Sequence, residues 1–588
     1  MNHMFCNCKS LSSLNLSSFN LENLRDCSAM FYGCGNLTKL IFNNNTTTPN
    51  LERMDYMFDS CTSLKFINMK IFKKNKLRKF NYVFQHCESL QYLDLSYFES
   101  KYITELRNTF NACFSLLSID FTHFDTSKVT MMYFTFWLCE SLTILDLTYF
   151  NLDNLMNSMG MFDNCIDLKE IIFNNHTSTK NLYYMKFMFT DCVSLEYINM
   201  GIFKRNKVMD LSSAFENCYS LEKLDLTYFN SKDINNLEKT FKKCKRLSKI
   251  NLMNFDTSKV TTMSHMFEDC VSLTYLNLSS FNFENLEDSS YMFYGCEKLK
   301  EIEFNNDALA KKIKTKTDMF SGCKSLEKIN TKIFKECNFT DLNYFFKDCE
   351  NLKEIDLSYF KLKYITELKG TFYNCKNLRK IDLTDCDFSE VKTINNIFYN
   401  CFKLEIINIS MSNTNNLIDA SFAFSNCLSL ENIALPSGLI SLEYVENMFE
   451  NCIILTSINL GFLQGDSKLN ITKGMFKGCS SLIEINFPSL YTSTLSDASE
   501  MFMGCTNLTR INLEELRMSN DIGLMESTFY DCKSLKYLNI LNLKTRSTRS
   551  FYNIFKGIEK KMEVIYDRTK TGTDLQLEIK KNKNKTDE

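Results

Sequence analysis

Phe31-Tyr-Gly-Cys34-Gly-Asn-Leu37 decides how the rest of the chain is read, because its pattern, Phe-x-x-Cys-x-x-Leu, returns without a gap from Phe5 to Leu535. There are 21 copies, and from Cys8 to Cys532 they recur at a mean spacing of 26.2 residues. A fixed period of roughly 20–50 residues marks a chain of stacked units rather than separate globular domains. The 588 residues therefore point to one long domain that grows a coil at a time.

Outward from the motif, the coil that starts at Phe110 sets apolar residues at Cys113, Leu116, Ile119, Phe121, Phe124, Val129 and Met132 before Phe136 opens the next. Two periods interleave. Ile119 and Phe121 alternate with Asp120 and Thr122, the mark of a strand with one buried face. Val129, Met132 and Phe136 stand at i, i+3 and i+7, which is helical spacing. The residue before the Cys is Gly, Asn or Asp in 16 of 21 copies, types that tolerate the left-handed conformation ending a helix. One coil alone would leave its Phe and Leu in water, and burying such a side chain is worth about 1.5–3 kcal/mol, so neighbours must complete each core. The expected fold is an α/β leucine-rich-repeat solenoid of 21–22 coils. It has one long parallel sheet, with short helical or 3₁₀ segments on the opposite side. The structural ladder runs through Phe31, Cys34, Leu37, Phe110, Cys113, Leu116, Phe215, Cys218 and Leu221.

The 25 cysteines do not read as a disulfide or metal framework, because 21 of them fill the same slot of the repeat and Cys27 and Cys386 fill slots used elsewhere by Met or Phe. Equivalent residues of stacked strands lie about 4.8 Å apart with parallel side chains, wider than a disulfide prefers. They are read as free, buried thiols acting as small hydrophobes. His3, His86, His123, His176 and His265 fall in unrelated repeat positions, and no Cys-x-x-Cys pair is present, so no metal site is expected. Gly-x-Ser-x-Gly, His-Glu-x-x-His, Walker and Rossmann fingerprints are missing too, which argues against an enzyme and calls for no cofactor. A formal net charge of −2 gives no global attraction to nucleic acid or anionic membrane, and no run of 18 apolar residues suggests a membrane span.

Candidate binding residues lie between the motif copies. The polar strand position carries Asp or Asn in 17 of 21 copies, among them Asn15, Asp94, Asp120, Asp146, Asp225, Asn277, Asp356 and Asp382, which form a solvated sheet face. A longer period overlies the first: Phe124-Asp-Thr-Ser-Lys-Val-Thr130 returns as Phe255-Asp-Thr-Ser-Lys-Val-Thr261, a shift of 131 residues or five coils. In each block one coil carries a polar insert (Asn43 to Thr48, Asn174 to Thr179, Asn305 to Asp307), and the next adds a basic cluster. Lys73, Lys74 and Lys76 form that cluster in the first block, and Lys204, Arg205 and Lys207 in the second. Only Lys332 and Lys335 remain in the third. A solvated charged edge and a spaced anion-binding array are both open readings.

The solenoid is expected to span residues 1–558, with Ile554-Phe555-Lys-Gly-Ile558 as a fading repeat, followed by a polar cap or tail over 559–588 that is disordered at its tip. At the other end, Met4-Phe5 opens the first coil with no preceding cap, as expected of the tail of a longer chain. Met266 to Phe281 and Phe255 to Met263 together carry Met-Phe-x-x-Cys-x-Ser-Leu-x-x-Leu-x-Leu-Ser-x-Phe and Phe-x-Thr-Ser-x-Val-x-x-Met, which resemble the 26-residue repeat of BspA-like leucine-rich-repeat surface proteins. The resemblance covers about residues 5–560 and implies a right-handed solenoid, display on the cell surface or secretion, and adhesion to host proteins or other cells. It supplies no catalytic residues. On these grounds the chain is expected to be a non-enzymatic, adhesin-like binder of a protein or cell-surface partner. An intracellular interaction scaffold is the alternative, because no signal peptide or anchor is visible and the thiols are unpaired.

Overall fold

The structure, a computed structural model, describes residues 1–583 apart from 44, 306, 308, 384–386, 409–415, 436–438 and 559–560. Cys386, the central Asn of the first and third inserts, and the extreme C-terminal tip expected to be disordered lie outside the described residues. The chain forms two compact units, 1–308 and 309–588. Each is a solenoid whose strands are parallel and in register, so the leucine-rich-repeat fold class holds. The strands are only three or four residues long and group into sheets of two to four strands, as in Tyr92–Asp94 against Ser118–Asp120. In Ser118–Asp120 the centre is buried and the flanks are open, and in four-residue strands such as Ile144–Leu147 the second and fourth residues are buried, as the alternation of Ile119 with Asp120 requires.

Opposite the strands, the residues at helical spacing are buried as expected: Val129, Met132 and Phe136 are all within the core. The backbone that buries them is different. Left-handed residues stand two before and two after each Phe, as at Phe134 (φ 54°) and Leu138 (φ 61°) around Phe136. A left-handed residue every four positions breaks the run of right-handed conformations that an α-helix needs. Tandem turns result instead, with Cys139 N–H donating to the Phe136 carbonyl at 3.1 Å. The alternate N–H groups are freed to point at the next coil. Met132, Phe134, Phe136 and Leu138 donate to Asn157, Met159, Met161 and Asp163 carbonyls at 2.9–3.0 Å. Helical structure on this side is thus sparse, with short 3₁₀ turns such as Lys70–Phe72, Met200–Phe203 and Thr331–Phe334. The helix Thr573–Lys583 and the strand Glu563–Ile565, which pairs with Tyr537–Asn539, lie within the polar C-terminal stretch.

The motif forms the core of each unit. From Phe5 to Phe293 successive motif rings stack with centroids 5.3–5.9 Å apart and planes within 21°. From Phe320 to Phe555 the same stack recurs in the second unit. Phe31, Cys34, Leu37, Phe110, Cys113, Leu116, Phe215, Cys218 and Leu221 are all buried. The 24 described cysteines are free. Their thiols do more than fill space: Cys113 Sγ donates to the Phe84 carbonyl of the preceding coil at 3.1 Å, and Cys218 to Phe189 at 3.1 Å. Burial pushes these thiols far above their ordinary pKa, so they stay protonated as donors.

Candidate interaction surfaces

The polar strand residues stand where the pattern put them, but seven of the eight have a visible local task. Asp94 Oδ1 accepts the Ser96 N–H (3.0 Å) and hydroxyl (2.6 Å), and Asp225 Oδ1 accepts from Thr227 in the same way at 2.9 and 2.6 Å. Asn15, Asp120, Asp146, Asn277 and Asp356 likewise accept the N–H two residues on. These are Asx turns that end the strand, which explains the residue type without a ligand. Parallel register brings some of the eight together, Asp94 beside Asp120 and Asp356 beside Asp382, whereas Asn15 faces Ile41, Asp146 faces Ile172 and Asn277 faces Glu303. Asp120 and Asp146 share a shallow hollow of about 270 Å³ walled by Tyr92 and Tyr149. The tyrosines recur in only some coils, Tyr149 at the slot of Tyr97, Tyr228 and Tyr359 and Tyr92 at that of Tyr197, Tyr275 and Tyr537, and sequence reading passed over them.

Both larger basic clusters are exposed and built alike. Lys73, Lys74 and Lys76 follow the 3₁₀ turn Lys70–Phe72, and the loop is pinned by buried Asn75, whose Nδ2 donates to the Phe72 carbonyl (2.9 Å) and whose Oδ1 accepts the Leu77 N–H (3.0 Å). Asn206 does the same for Lys204, Arg205 and Lys207, at 2.7 Å to Phe203 and 2.9 Å from Val208. In the third block Cys337 takes the Asn slot and donates to the Ala310 carbonyl, while Lys332 lies within the turn Thr331–Phe334 and Lys335 follows it.

Beside the first cluster the stacking opens. A column of parallel bridges joins Lys79, Glu105, Met131 and Asn157 in turn and continues to Asp288, and a separate bridge joins Asp26 to Arg53. Between Arg53 and Lys79 there is none among the described residues. In later coils the N–H at the Arg78 position reaches the coil before it, as Thr104 does to Arg78 (2.8 Å) and Met209 to Tyr183 (3.2 Å), but the Arg78 N–H makes no such bond. The coils remain joined on either side, Lys76 N–H to Leu51 carbonyl at 2.8 Å and Phe58 N–H to Val83 carbonyl at 2.9 Å. A groove of about 580 Å³ results, lined by Glu52, Arg53, Asp55, Lys76, Arg78 and Lys79. Stacking Arg53 on Lys79 sets like charges opposite each other, which weakens a bridge.

On the turn side the half-buried Asp163 carboxyl is raised to about 7 by burial, with Asp191 and Glu216 adding to the rise and the Asn164 amide, 2.8 Å away, opposing it. Among the described residues no group of three or more His, Cys, Asp or Glu is placed to hold a metal, and no helix is long and apolar enough to cross a membrane.

Residues 289–416, 342–462, 392–517 and 498–562 match the BspA-type leucine-rich-repeat region. Curated proteins yield no match to the sequence. Solved structures that resemble it include a leucine-rich-repeat protein from Bacteroides ovatus (16% identity, 75% of this chain and 88% of that one, TM-score 0.31). Others are a leucine-rich cell-surface protein from Faecalibacterium prausnitzii (16%, 68% and 83%, TM-score 0.21) and the T. pallidum leucine-rich-repeat protein (21%, 33% and 69%, TM-score 0.20). Superpositions this loose carry no argument about this chain. Residues 1–116, 78–200 and 209–334, more than half of the sequence between them, match a second family, and the chain belongs to it: the family described as Mycoplasma protein of unknown function, DUF285.

Proposed function

We propose that the chain is a non-enzymatic, adhesin-like binding protein, displayed at the cell surface or secreted, that engages a protein or cell-surface partner through its solenoid surface. The observation that carries this is the strand-face hollow in which Asp120 and Asp146 lie between Tyr92 and Tyr149. Exposed tyrosines held rigidly on a repeated backbone, next to carboxylates, have the composition of a binding hot spot. The BspA-type repeat region supports the surface reading. Saturable binding of the purified full chain to host cells or matrix, weakened by Tyr92→Ala and Tyr149→Ala with the thermal melt unchanged, is the expected result. No saturable binding to any such surface would overturn it. The free state of all 24 described cysteines favours a second reading, an intracellular interaction scaffold. Surface labelling of intact cells separates the two, since a pool confined to the cytosol supports the scaffold.

A further inference from the structure

We propose that the groove between Arg53 and Lys79 is an oxyanion site that takes a sulfate group of a sulfated glycan chain. The inference rests on the adhesin-like reading and names the chemistry of one partner. Four cationic side chains, Arg53, Lys76, Arg78 and Lys79, line the groove against the carboxylates of Glu52 and Asp55. Arg53 and Lys79 are only loosely held by acids of adjoining coils, Asp26 at 3.7 Å and Glu105 at 3.4 Å. The Arg78 N–H, which its counterparts spend on the preceding coil, is left for a ligand. An oxyanion held there would neutralise the like charges that keep the coils apart and would accept from that N–H.

Two observations select a chain over a single ion. Exposed Lys73 and Lys74 continue the positive surface past the groove, beyond what one ion needs. The second Asn-pinned basic loop, Lys204 to Lys207, stands five coils further along the same unit, roughly 24 Å away at about 4.8 Å per coil. A third observation selects a glycan over single-stranded nucleic acid, which draws much of its affinity from bases stacked on open rings. The nearby rings are engaged: Lys70 lies over Tyr97 at 4.5 Å, Tyr56 lies flat on Tyr82 at 4.5 Å, and Lys207 covers Tyr183 at 5.5 Å. Beside the groove the surface therefore offers charge with its rings engaged, while Tyr184 near the second loop is 50% exposed.

The full chain is tested on immobilised heparin and dextran sulfate, with uncharged dextran as the blank. Binding to both sulfated polymers is expected to fall as salt rises. Lys76→Ala/Arg78→Ala should lower the slope of log affinity against log salt by about 2, one per lost contact. Lys223→Ala/Lys249→Ala, on the strand face, should leave it unchanged, and thermal melts confirm that both variants fold. An unchanged slope in the first variant overturns the site. Inorganic sulfate displacing the chain as well as heparin does at equal sulfate makes it a free-ion site and overturns the glycan, as does single-stranded DNA competing on equal terms with heparin. Host cells stripped of sulfation supply the last arm: undiminished binding to them overturns the sulfated partner while leaving adhesion intact. Failure to bind any cells, with heparin binding retained, overturns adhesion alone.

Discussion

The segments around Arg53 and Lys79 and those around Tyr184 and Asp210 occupy the same places in successive 131-residue blocks, yet the first pair stands open and the second is bridged. Both are followed by an Asn-pinned basic loop or adjoin one, and both rest on the same Phe stack. What differs is the pair that must lie face to face. Two cations oppose each other in the first block, whereas a tyrosine meets a carboxylate in the second. The core therefore sets the coil spacing, and in this column the ladder stays open where two cations oppose each other, although Lys223 and Lys249 pair in register on the strand face. A solenoid can in this way carry a site at one coil without altering the coils around it, because each coil answers chiefly to its neighbours.

Mutations on the two segments separate the role of the core from that of the surface pair. The largest effect is expected from Phe215→Ala, which removes a fully buried ring from the stack beneath the closed pair and should cost about 3–5 kcal/mol in denaturant melts. If the closed ladder survived that loss while the local amides stayed protected, the surface pair rather than the stack would be setting the coil spacing. Next comes a pH effect. Because the Asp163 carboxyl is raised to about 7 in the fold, the native state holds a proton that the unfolded chain has released above about 4. Stability should fall as pH rises through that window and level off above it, and Asp163→Asn should flatten this part of the profile. A smaller change, Tyr184→Arg with Asp210→Lys, should open the closed pair at a cost of about 1 kcal/mol, read as faster amide exchange at Met209. In the reverse direction Arg53→Tyr, which supplies the residue its counterpart Tyr184 provides, should close the open pair, slow exchange at Arg78 and weaken heparin binding, with a net stability change of about 0.5 kcal/mol or less because the 3.7 Å contact with Asp26 is lost. Cys218→Ala should also cost little, about 1 kcal/mol or less in denaturant melts, since the Phe189 carbonyl keeps its bond from the Cys192 N–H at 3.2 Å.

Legibility followed periodicity. Phe110, Cys113 and Leu116 could be placed in the core because a one-dimensional repeat converts spacing directly into position. The left-handed residue before the Cys was legible from its Gly, Asn and Asp preference. Its partner two residues before the Phe was not, since Tyr82, Phe134, His265 and Lys239 occupy it at φ 54–59° with no preference to read. At two such places the coil ahead accommodates the ring with a glycine. A Cβ on Gly160 would strike Phe134, and one on Gly370 would strike Tyr344. Asp120 and Asp225 were legible as polar strand residues, but their turn-ending role depends on backbone N–H groups two residues on that must first be brought into reach.

From sequence alone came the repeat, its buried Phe, Cys and Leu rungs, the parallel strands and the basic loops, because these follow from spacing and side-chain chemistry along one chain. Tertiary structure alone decided that the helical spacing is served by turns bonded from coil to coil. It also decided that the thiols cap carbonyls of the preceding coil, and that Arg53 and Lys79 meet across an unclosed ladder. Each of these is a contact between residues some 26 positions apart, and the register that brings them together exists only once the coils have stacked.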